Sequence, residues 1–378
     1  MKKRIWIITL IIILIGLLAT AAVAYQTLNT KVEKTAKVIH TNISREKSDL
    51  RKEQVSIKDH DAISIALFGV DSNTTRLATG DAGRSDTIII ISINPTKNTS
   101  VMVSIPRDTY SEIAGHNTHE KINRAYNHGG AKMAVESVEK LMNVPIDYYA
   151  TINMDGIEEM IDTVGGIDVV SNATFNYEGH DFVQGELTHL NGKEALSFIR
   201  SRKQVGAGGD FGRQERQQLV IQALADKLIS MSSVSKIDSL LKTIEGNVVT
   251  DVTFDDLKTL ISNYSESLNT VERFQLTGYG QFLNDNLWYF IPNLEEKHHI
   301  QNTYLENLGL PQLSIEEDGY EPPSIESQYI NPYNDYSNDN VINYDSTDEP
   351  PSIESPYVNP YNDYSNNNVI NYDSTEVP

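Results

Sequence analysis

Three short apolar runs, rich in β-branched residues and bounded by turn residues, constrain the fold most strongly. They are ISIALFGV (63–70), TIIIISI (87–93) and SVMVSI (100–105). Runs of this length and composition predict strands, and nearly continuous apolar runs predict strands covered on both faces. Two further runs, 148–154 and 167–171, are also predicted as strands.

Helical segments alternate with these strands. The predicted helices cover residues 124–142, 155–164, 192–202, 213–230 and 253–267. Alternation of strands and helices within one domain is typical of layered α/β proteins. We therefore expect residues 60–311 to form an α/β domain, with a central β-sheet flanked by helices in an α/β/α sandwich.

The amino-terminal segment predicts a membrane anchor. Three basic residues (2–4) precede an uncharged, mostly apolar run over residues 5–25, and a helix needs about 20 residues to cross a bilayer. Positive charge before the span predicts a cytoplasmic amino terminus and an extracellular remainder. The AVA triplet at 22–24 leaves a cleaved signal peptide as the alternative, although the apolar region of a signal usually has only about 7–15 residues. We expect residues 1–25 to form a cytoplasmic tip and a single transmembrane helix in the cell membrane.

Two polar segments flank the predicted domain. Residues 26–59 are charged and lack Pro and Gly, which predicts a partly helical stalk. Residues 312–378 contain fourteen Asp or Glu and no Lys or Arg, and two copies of a 28-residue repeat begin at residues 321 and 349. Such a composition cannot bury enough apolar surface to offset the entropy of ordering. We expect a disordered acidic tail, with docking of its repeated tyrosines on a partner as the alternative.

Composition excludes some classes of site and partner. The chain has no cysteine, so it has neither disulfides nor thiolate zinc sites. Its formal net charge is −21, which argues against a protein that binds nucleic acid through its phosphates.

Charged residues cluster at the ends of the predicted strands. Asp71 follows the first strand, Arg84 and Asp86 open the second, and Arg107 follows the third. Lys121 precedes the first predicted helix. Ligands of open α/β sheets commonly bind at strand ends, so we expect these side chains to converge on one site.

A second basic cluster, SFIRSRKQVGAGGDFGRQERQ at 197–217, has four arginines and one lysine around a glycine-rich centre. Positions 200 and 202 of a regular helix point about 200° apart. Either the helix therefore loosens there, or only one of Arg200 and Arg202 faces the site.

The remainder of the cluster predicts the start of the next helix. Asp210 is expected to cap it, while Arg213 and Gln217, one turn apart, share a face. Arginine forks match phosphate oxygens in a bidentate manner. We expect two helix ends to hold an anion between arginines, with Asp210 orienting one of them.

The motifs GVDSN, GRSDT, SIPRDT, KIN-A and FIRSR…DFGRQERQ resemble, in type and order, those of the LytR–CpsA–Psr family of cell-envelope proteins. The resemblance is closest over residues 60–230. It implies a Mg²⁺-dependent phosphotransferase that moves a glycopolymer, such as teichoic acid or capsular polysaccharide, from a polyprenyl-diphosphate carrier onto peptidoglycan. The acidic repeat tail is not part of the family pattern.

The resemblance also implies roles for individual residues. Asp71 and Asp86 are expected to be linked to the metal. The expected catalytic residues are Arg84, Arg107, Lys121, Arg200, Arg202, Asp210, Arg213 and Gln217. All of these except Asp210 are also expected to bind the substrate. A diphosphate would supply the negative partners that crowded arginines need in a partly buried site, and Mg²⁺ favours few carboxylates together with phosphate oxygens.

Other functions remain as alternatives. A polyprenyl-diphosphate hydrolase would use the same site with water as the acceptor, and a non-catalytic envelope regulator would bind without turnover. The sequence contains no GxSxG or P-loop motif. This argues against the usual hydrolases and against enzymes that bind nucleoside triphosphates. HNTHE at 116–120 does not have the HExxH order of zinc peptidases, and its polar setting favours a surface turn.

Overall fold

The structure is a computed structural model, and it describes residues 26–71, 83–230 and 234–323. The predicted membrane anchor and almost all of the repeat tail lie outside these residues. Within the described ranges, no helix is both long enough and apolar enough to cross a membrane.

Strands and helices alternate along the described part of the chain. Its strands are β1 (Ile63–Val70), β2 (Ser85–Asn94), β3 (Thr99–Ser104), β4 (Tyr110–Ile113), β5 (Thr118–Lys121), β6 (Tyr148–Asn153), β7 (Ile167–Val170), β8 (Phe175–Tyr177), β9 (His180–Phe182), β10 (Leu187–Leu190), β11 (Val248–Thr250), β12 (Val271–Gln275), β13 (Gly278–Phe282) and β14 (Trp288–Pro292). Its helices are α1 (26–39), α2 (Arg124–Met142), α3 (Met154–Val164), α4 (Gly192–Arg200), α5 (Gly209–Ser230), α6 (Val234–Asn247), α7 (Phe254–Asn263) and α8 (Leu294–Asn307).

Six strands form a mixed central sheet in the order β11-β6-β1-β2-β3-β12. Strands β1, β2 and β3 are antiparallel neighbours, whereas β6 runs parallel to β1 and β12 runs parallel to β3. The antiparallel arrangement brings the ends of β1 and β3 to the same sheet edge as the start of β2. This edge holds the predicted strand-end residues.

Both faces of the central sheet are covered, as the apolar runs predict. Ile88 and Ile90 of β2 pack on one face with residues of α2 and α8. Ile89 and Ile91 point to the opposite face, where they pack with Tyr264 and with residues of α5 and α7. The expected sheet flanked by helices is therefore confirmed.

A second core lies beside the sheet and carries the other half of the site. Helices α3, α4 and α5 enclose it together with strands β7–β10. The rings of Phe175, Phe182 and Phe198 contact one another there, with centroids 4.8–6.1 Å apart. This packing fixes the end of α4 relative to the start of α5.

Residues 40–59, expected to form a stalk, pack on the domain instead. Ile43 and Ile57 are buried in the cores on the two sheet faces, and Arg51 pairs with buried Asp147 at 2.6 Å. The apolar residues of this segment are sparse and aperiodic, so its sequence does not indicate their burial.

The first residues of the predicted acidic tail also pack on the domain. Asp318 forms an ion pair with Lys297 of α8, whose side chain is completely buried. The Tyr320 hydroxyl donates a hydrogen bond to the carbonyl of Tyr110. The packed segment therefore extends beyond the expected domain boundary at residue 311, because specific contacts override an unfavourable composition.

Candidate anion-binding site

The predicted strand-end residues meet at one edge of the central sheet. The backbone N–H of Asp71 donates to the carbonyl of Arg84 at 3.1 Å, where β1 ends beside the start of β2. A register shift opposite Val70 marks this point of the β1–β2 pair, and Asp86 lies two residues after Arg84. Asp71 and Arg84 are exposed, whereas Asp86 is half-buried.

Arg107 connects the strand ends to the loop before α2. Its Nη1 lies 3.0 Å from Oδ2 of Asp86, and its Nε lies 3.6 Å from Oδ2 of Asp108. Lys121 pairs with the other oxygen of Asp108 at 2.9 Å. The Asn123 amide donates to Oδ1 of Asp86 at 3.2 Å. Asp108 thus joins two predicted cations, a role that no sequence motif indicates.

The second half of the site lies between α4 and α5. Helix α4 ends at Arg200, and Ser201 has the extended angles φ −58° and ψ 131°. Arg202 consequently lies outside the helix, which ends two residues before its predicted end at residue 202. Arg200 is exposed and makes no ion pair with any other described residue.

The glycine-rich turn lets the chain reverse between the two helices. Gly206 has φ +85°, and a Cβ atom there would lie 2.1 Å from the carbonyl oxygen of Thr174. Only glycine fits here, because it has no Cβ atom and readily adopts positive φ. The turn therefore places Arg202 opposite the first turn of α5.

Asp210 does not cap α5, contrary to the sequence prediction. The helix already begins at Gly209, so Asp210 lies within its first turn. Its Oδ1 lies 3.2 Å from Nε of Arg202 and 2.8 Å from Nη2 of Arg213. Asp210 therefore orients arginines, as expected, but two of them rather than one.

Arg213 is the most buried cation of the predicted set. It is only 9% exposed, and its Nε has no hydrogen-bond partner among the described residues. Burial lowers the pKa of Arg213; the charge of Asp210 opposes this shift, while Arg107 and Arg202 add to it. The guanidinium nevertheless remains charged, because the ordinary pKa of arginine is so high. Arg107 belongs to the strand-end half of the site and Arg202 to the half between α4 and α5, so the charges of both halves act on Arg213.

Gln217 lies one turn after Arg213 on α5 and is also buried. Residues four positions apart lie on the same face of a regular helix, so Gln217 lies on the side of α5 that carries Arg213. The neighbouring Gln218 serves another purpose, since its amide donates to Oγ of Ser104 and to the carbonyl of Phe274. These two hydrogen bonds attach α5 to the end of β3 and to β12.

Arg216 has a structural position that sequence reasoning missed. It is completely buried, and it donates to the carbonyls of Phe198 and Ser201 at 2.9 and 2.6 Å. Its guanidinium lies 4.7 Å from the centroid of the Phe175 ring, and burial lowers its pKa to about 10. Arg216 thereby holds the end of α4 against α5. No sequence signal separates it from the arginines of the site.

The donor atoms near Asp86 are of the kind that Mg²⁺ prefers. Asp71 and Asp86 supply carboxylates at the same sheet edge, and Oδ1 of Asn123 is buried without a hydrogen-bond partner among the described residues. Hard oxygen donors of this type suit Mg²⁺, which is usually bound by one or two carboxylates and substrate phosphates. The residues present therefore fit this ion.

Together, the fold and the site define an α/β protein with a partly buried cluster of cations suited to a multiply charged anion. The chain belongs to the LytR_cpsA_psr family, whose sequence profile matches residues 25–306. This confirms the resemblance carried by the motifs.

Similar proteins cover most of the described chain. TagU of Bacillus licheniformis, named a polyisoprenyl-teichoic acid–peptidoglycan teichoic acid transferase, is 43% identical over 290 residues, which are 76% of this chain and 92% of that protein. The crystal structure of TagU from B. subtilis matches with 37% identity and a TM-score of 0.54, covering 67% of this chain and 100% of that one. A structure of TagT bound to LIIa-WTA matches with 28% identity and a TM-score of 0.59, covering 72% and 100%.

Proposed function

We propose that this protein transfers a glycopolymer of the teichoic acid type from a polyprenyl-diphosphate carrier to peptidoglycan. Relatives about 40% identical are named as polyisoprenyl-teichoic acid–peptidoglycan teichoic acid transferases. The family resemblance supplies the wider class of substrate, a glycan linked to a polyprenyl diphosphate.

The observation that carries this proposal is the burial of Arg213 beside two other arginines. Arg107 and Arg202 both act on its charge, and its Nε has no hydrogen-bond partner among the described residues. Three carboxylates, Asp86, Asp108 and Asp210, pair with the four cations Arg107, Lys121, Arg202 and Arg213, so they offset only part of the positive charge. A buried charge needs partners, and a diphosphate provides both the negative charge and the acceptor oxygens.

The proposed reaction is phosphoryl transfer. A hydroxyl oxygen of the acceptor attacks the phosphorus that carries the glycan, forming a new P–O bond and releasing the hydroxyl proton. The P–O bond to the bridging oxygen breaks, and polyprenyl monophosphate leaves with its electron pair. Negative charge builds up on the oxygens of the transferred group and of the leaving group.

The arginines would stabilise that charge. Arg202 and Arg213 are already positioned by Asp210, so they need little reorganisation during the reaction. Arg107 and Lys121, joined through Asp108, would bind the diphosphate from the sheet edge. Arg84, Arg200 and Gln217 would complete the substrate contacts. Asp71 and Asp86 would hold Mg²⁺, which when bound neutralises phosphate charge.

We also propose that the protein is anchored by residues 5–25 with its domain outside the cell. The basic residues before this apolar run support that orientation. Protease added to intact cells should digest the domain and leave the amino terminus protected. A domain that is protected inside the cell would contradict the orientation.

One assay separates transfer from the two alternatives. The full chain is incubated with a synthetic polyprenyl-diphosphate glycan, peptidoglycan fragments, Mg²⁺ and ¹⁸O-labelled water. Transfer gives a glycan phosphodiester on peptidoglycan without ¹⁸O. Free glycan phosphate that contains ¹⁸O would instead identify a hydrolase. Substrate binding without turnover would identify a non-catalytic regulator.

A further inference from the structure

A cluster of two histidines and one glutamate lies beside the anion-binding site. His116 is in the turn between β4 and β5, Glu120 is on β5, and His128 is on α2. Nε2 of His128 lies 3.3 and 3.4 Å from the two oxygens of Glu120, and Nδ1 of His116 lies 3.7 Å from Oε1. The three residues each offer one ligand atom, and these three atoms all lie within 4.8 Å of one another.

The backbone brings these three residues together from two elements. His116 lies between Gly115 and Asn117, which both have positive φ, so the β4–β5 hairpin turns tightly at its position. Helix α2 has non-helical angles at Gly129 and Gly130, directly after His128. The rings of His116 and His128 stack with their centroids 4.2 Å apart.

Glu120 is already oriented by its neighbours. Oγ1 of Thr118 donates to Oε1 at 2.9 Å, and Nη1 of Arg124 donates to Oε2 at 2.9 Å. A carboxylate oxygen can accept more than one partner, so Oε1 can take a further ligand while it accepts from Thr118.

The spacing of these atoms matches a tetrahedral site. Ligand atoms bound to Zn²⁺ at about 2.0–2.1 Å lie about 3.3 Å from one another in tetrahedral geometry. The two nitrogen–oxygen distances, 3.3 and 3.7 Å, are close to that value. The histidine side chains are 41% and 27% exposed, so both rings have room to turn their edges toward a common ion.

We propose that His116, Glu120 and His128 form a site for a Zn²⁺-type divalent cation, distinct from the proposed Mg²⁺ site. Imidazole nitrogens select borderline metals, whereas the carboxylates of Asp71 and Asp86 suit hard cations. The bound ion ties the β4–β5 hairpin to the start of α2. Because Lys121 follows Glu120 directly and Asn123 precedes α2, this connection stabilises the segment that supplies two groups of the anion-binding site.

The HNTHE motif did not indicate this site, because only one of its two histidines belongs to the cluster. HNTHE contains two histidines, but the ring of His119 stacks on Tyr110 at 5.2 Å instead of joining the cluster. The third ligand comes from α2, eight residues after Glu120. His119 is consequently a matched control, since it lies on the same hairpin and is also exposed.

The test measures Zn²⁺ and Co²⁺ binding by the metal-free full chain in the presence of excess Mg²⁺. We expect one equivalent of Zn²⁺ to bind, a tetrahedral Co²⁺ absorption spectrum, and a thermal midpoint raised by Zn²⁺. His116→Ala and His128→Ala should each weaken binding at least about tenfold and lose the Zn²⁺-dependent rise, whereas His119→Ala should retain both. Far-UV circular dichroism checks that each variant is folded.

Two results would overturn the proposal. The first is the absence of saturable Zn²⁺ binding by the parent chain in excess Mg²⁺. The second is equal Zn²⁺ affinity in the parent, His128→Ala and His119→Ala proteins, because the ion would then bind elsewhere. Either result leaves the proposed transferase activity unaffected, since that activity rests on a different set of residues.

Discussion

Asp210 and Arg213 form an ion pair within the first turn of α5, with Oδ1 of Asp210 lying 2.8 Å from Nη2 of Arg213. The same oxygen is 3.2 Å from Nε of Arg202. One carboxylate therefore holds two guanidinium groups side by side despite their mutual repulsion. Such an arrangement positions positive charge before an anion binds, which is the condition for strong electrostatic stabilisation.

The arginines of the site should control turnover. Arg202→Ala is expected to lower the rate of polyprenyl phosphate release by about 10²–10³-fold, because one oriented donor is lost. Arg202→Lys keeps the charge but loses the planar fork, so its rate should lie between those of the parent and the Ala variant. Lys203→Ala, which changes an exposed neighbour, is the matched control. Parent-like rates for Arg200→Ala, Arg202→Ala and Arg213→Ala alike would remove the main support for the proposed function.

Asp86→Asn should change the metal requirement. Asp86 accepts from Asn123 and pairs with Arg107, and loss of its charge weakens a carboxylate ligand. The Mg²⁺ concentration for half-maximal turnover is expected to rise at least about tenfold. Asp181→Asn, on the surface strand β9, controls for a change of net charge. An unchanged Mg²⁺ requirement in Asp86→Asn would assign the metal to other residues.

Arg216→Met should destabilise the fold. The substitution leaves the buried carbonyls of Phe198 and Ser201 without their donor, and the free energy of unfolding should fall by about 2–5 kcal/mol. Urea denaturation measures this change. Arg202→Ala, at a partly exposed position, should have a much smaller effect on stability. A stable Arg216→Met protein would show that α4 and α5 do not depend on this guanidinium.

Two truncations should differ in stability. A chain ending at residue 323 is expected to unfold like the full chain, because the composition of residues 324–378 predicts that they contribute little packing. A chain ending at residue 311 lacks Asp318 and leaves Lys297 buried without its partner, at a cost of about 3–5 kcal/mol. Asp318→Asn in the full chain isolates the ion pair from the rest of the segment. Equal urea midpoints for the two truncated chains would contradict this role.

Asp251 should make stability depend on pH. Burial raises its pKa to about 6, although the backbone N–H of Tyr149 donates to the carboxylate and partly opposes this shift. Because the folded pKa exceeds the unfolded value of 3.8, the contribution of this group is fully present below about pH 4 and is lost as the pH rises through about 6. Asp251→Asn removes the titration and keeps an acceptor for Tyr149.

The two proteins should therefore diverge as the pH rises. The free energy of unfolding of Asp251→Asn, relative to the parent, is expected to increase by about 1–3 kcal/mol between pH 4 and pH 7. Urea denaturation at several pH values gives this difference directly. A difference that stays constant over the range would show that Asp251 does not titrate as its burial indicates.

The sequence by itself determined the positions of four of the six strands in the central sheet (β1, β2, β3 and β6) and of most helices. The run 63–70 matches β1 residue for residue, and 124–142 matches α2, because the periodicity and composition of apolar residues are local properties. The ordered motifs were also sufficient to indicate the family.

Only the tertiary structure decided which charged groups meet. It separated Arg213, which faces the other cations, from Arg216, which is buried three residues later against the end of α4. It also packed Asp318 on Lys297 and brought His128 beside Glu120. Such contacts join residues whose distance is fixed by the packing of whole helices and strands, and an arginine or a histidine has no local pattern that records its eventual partner.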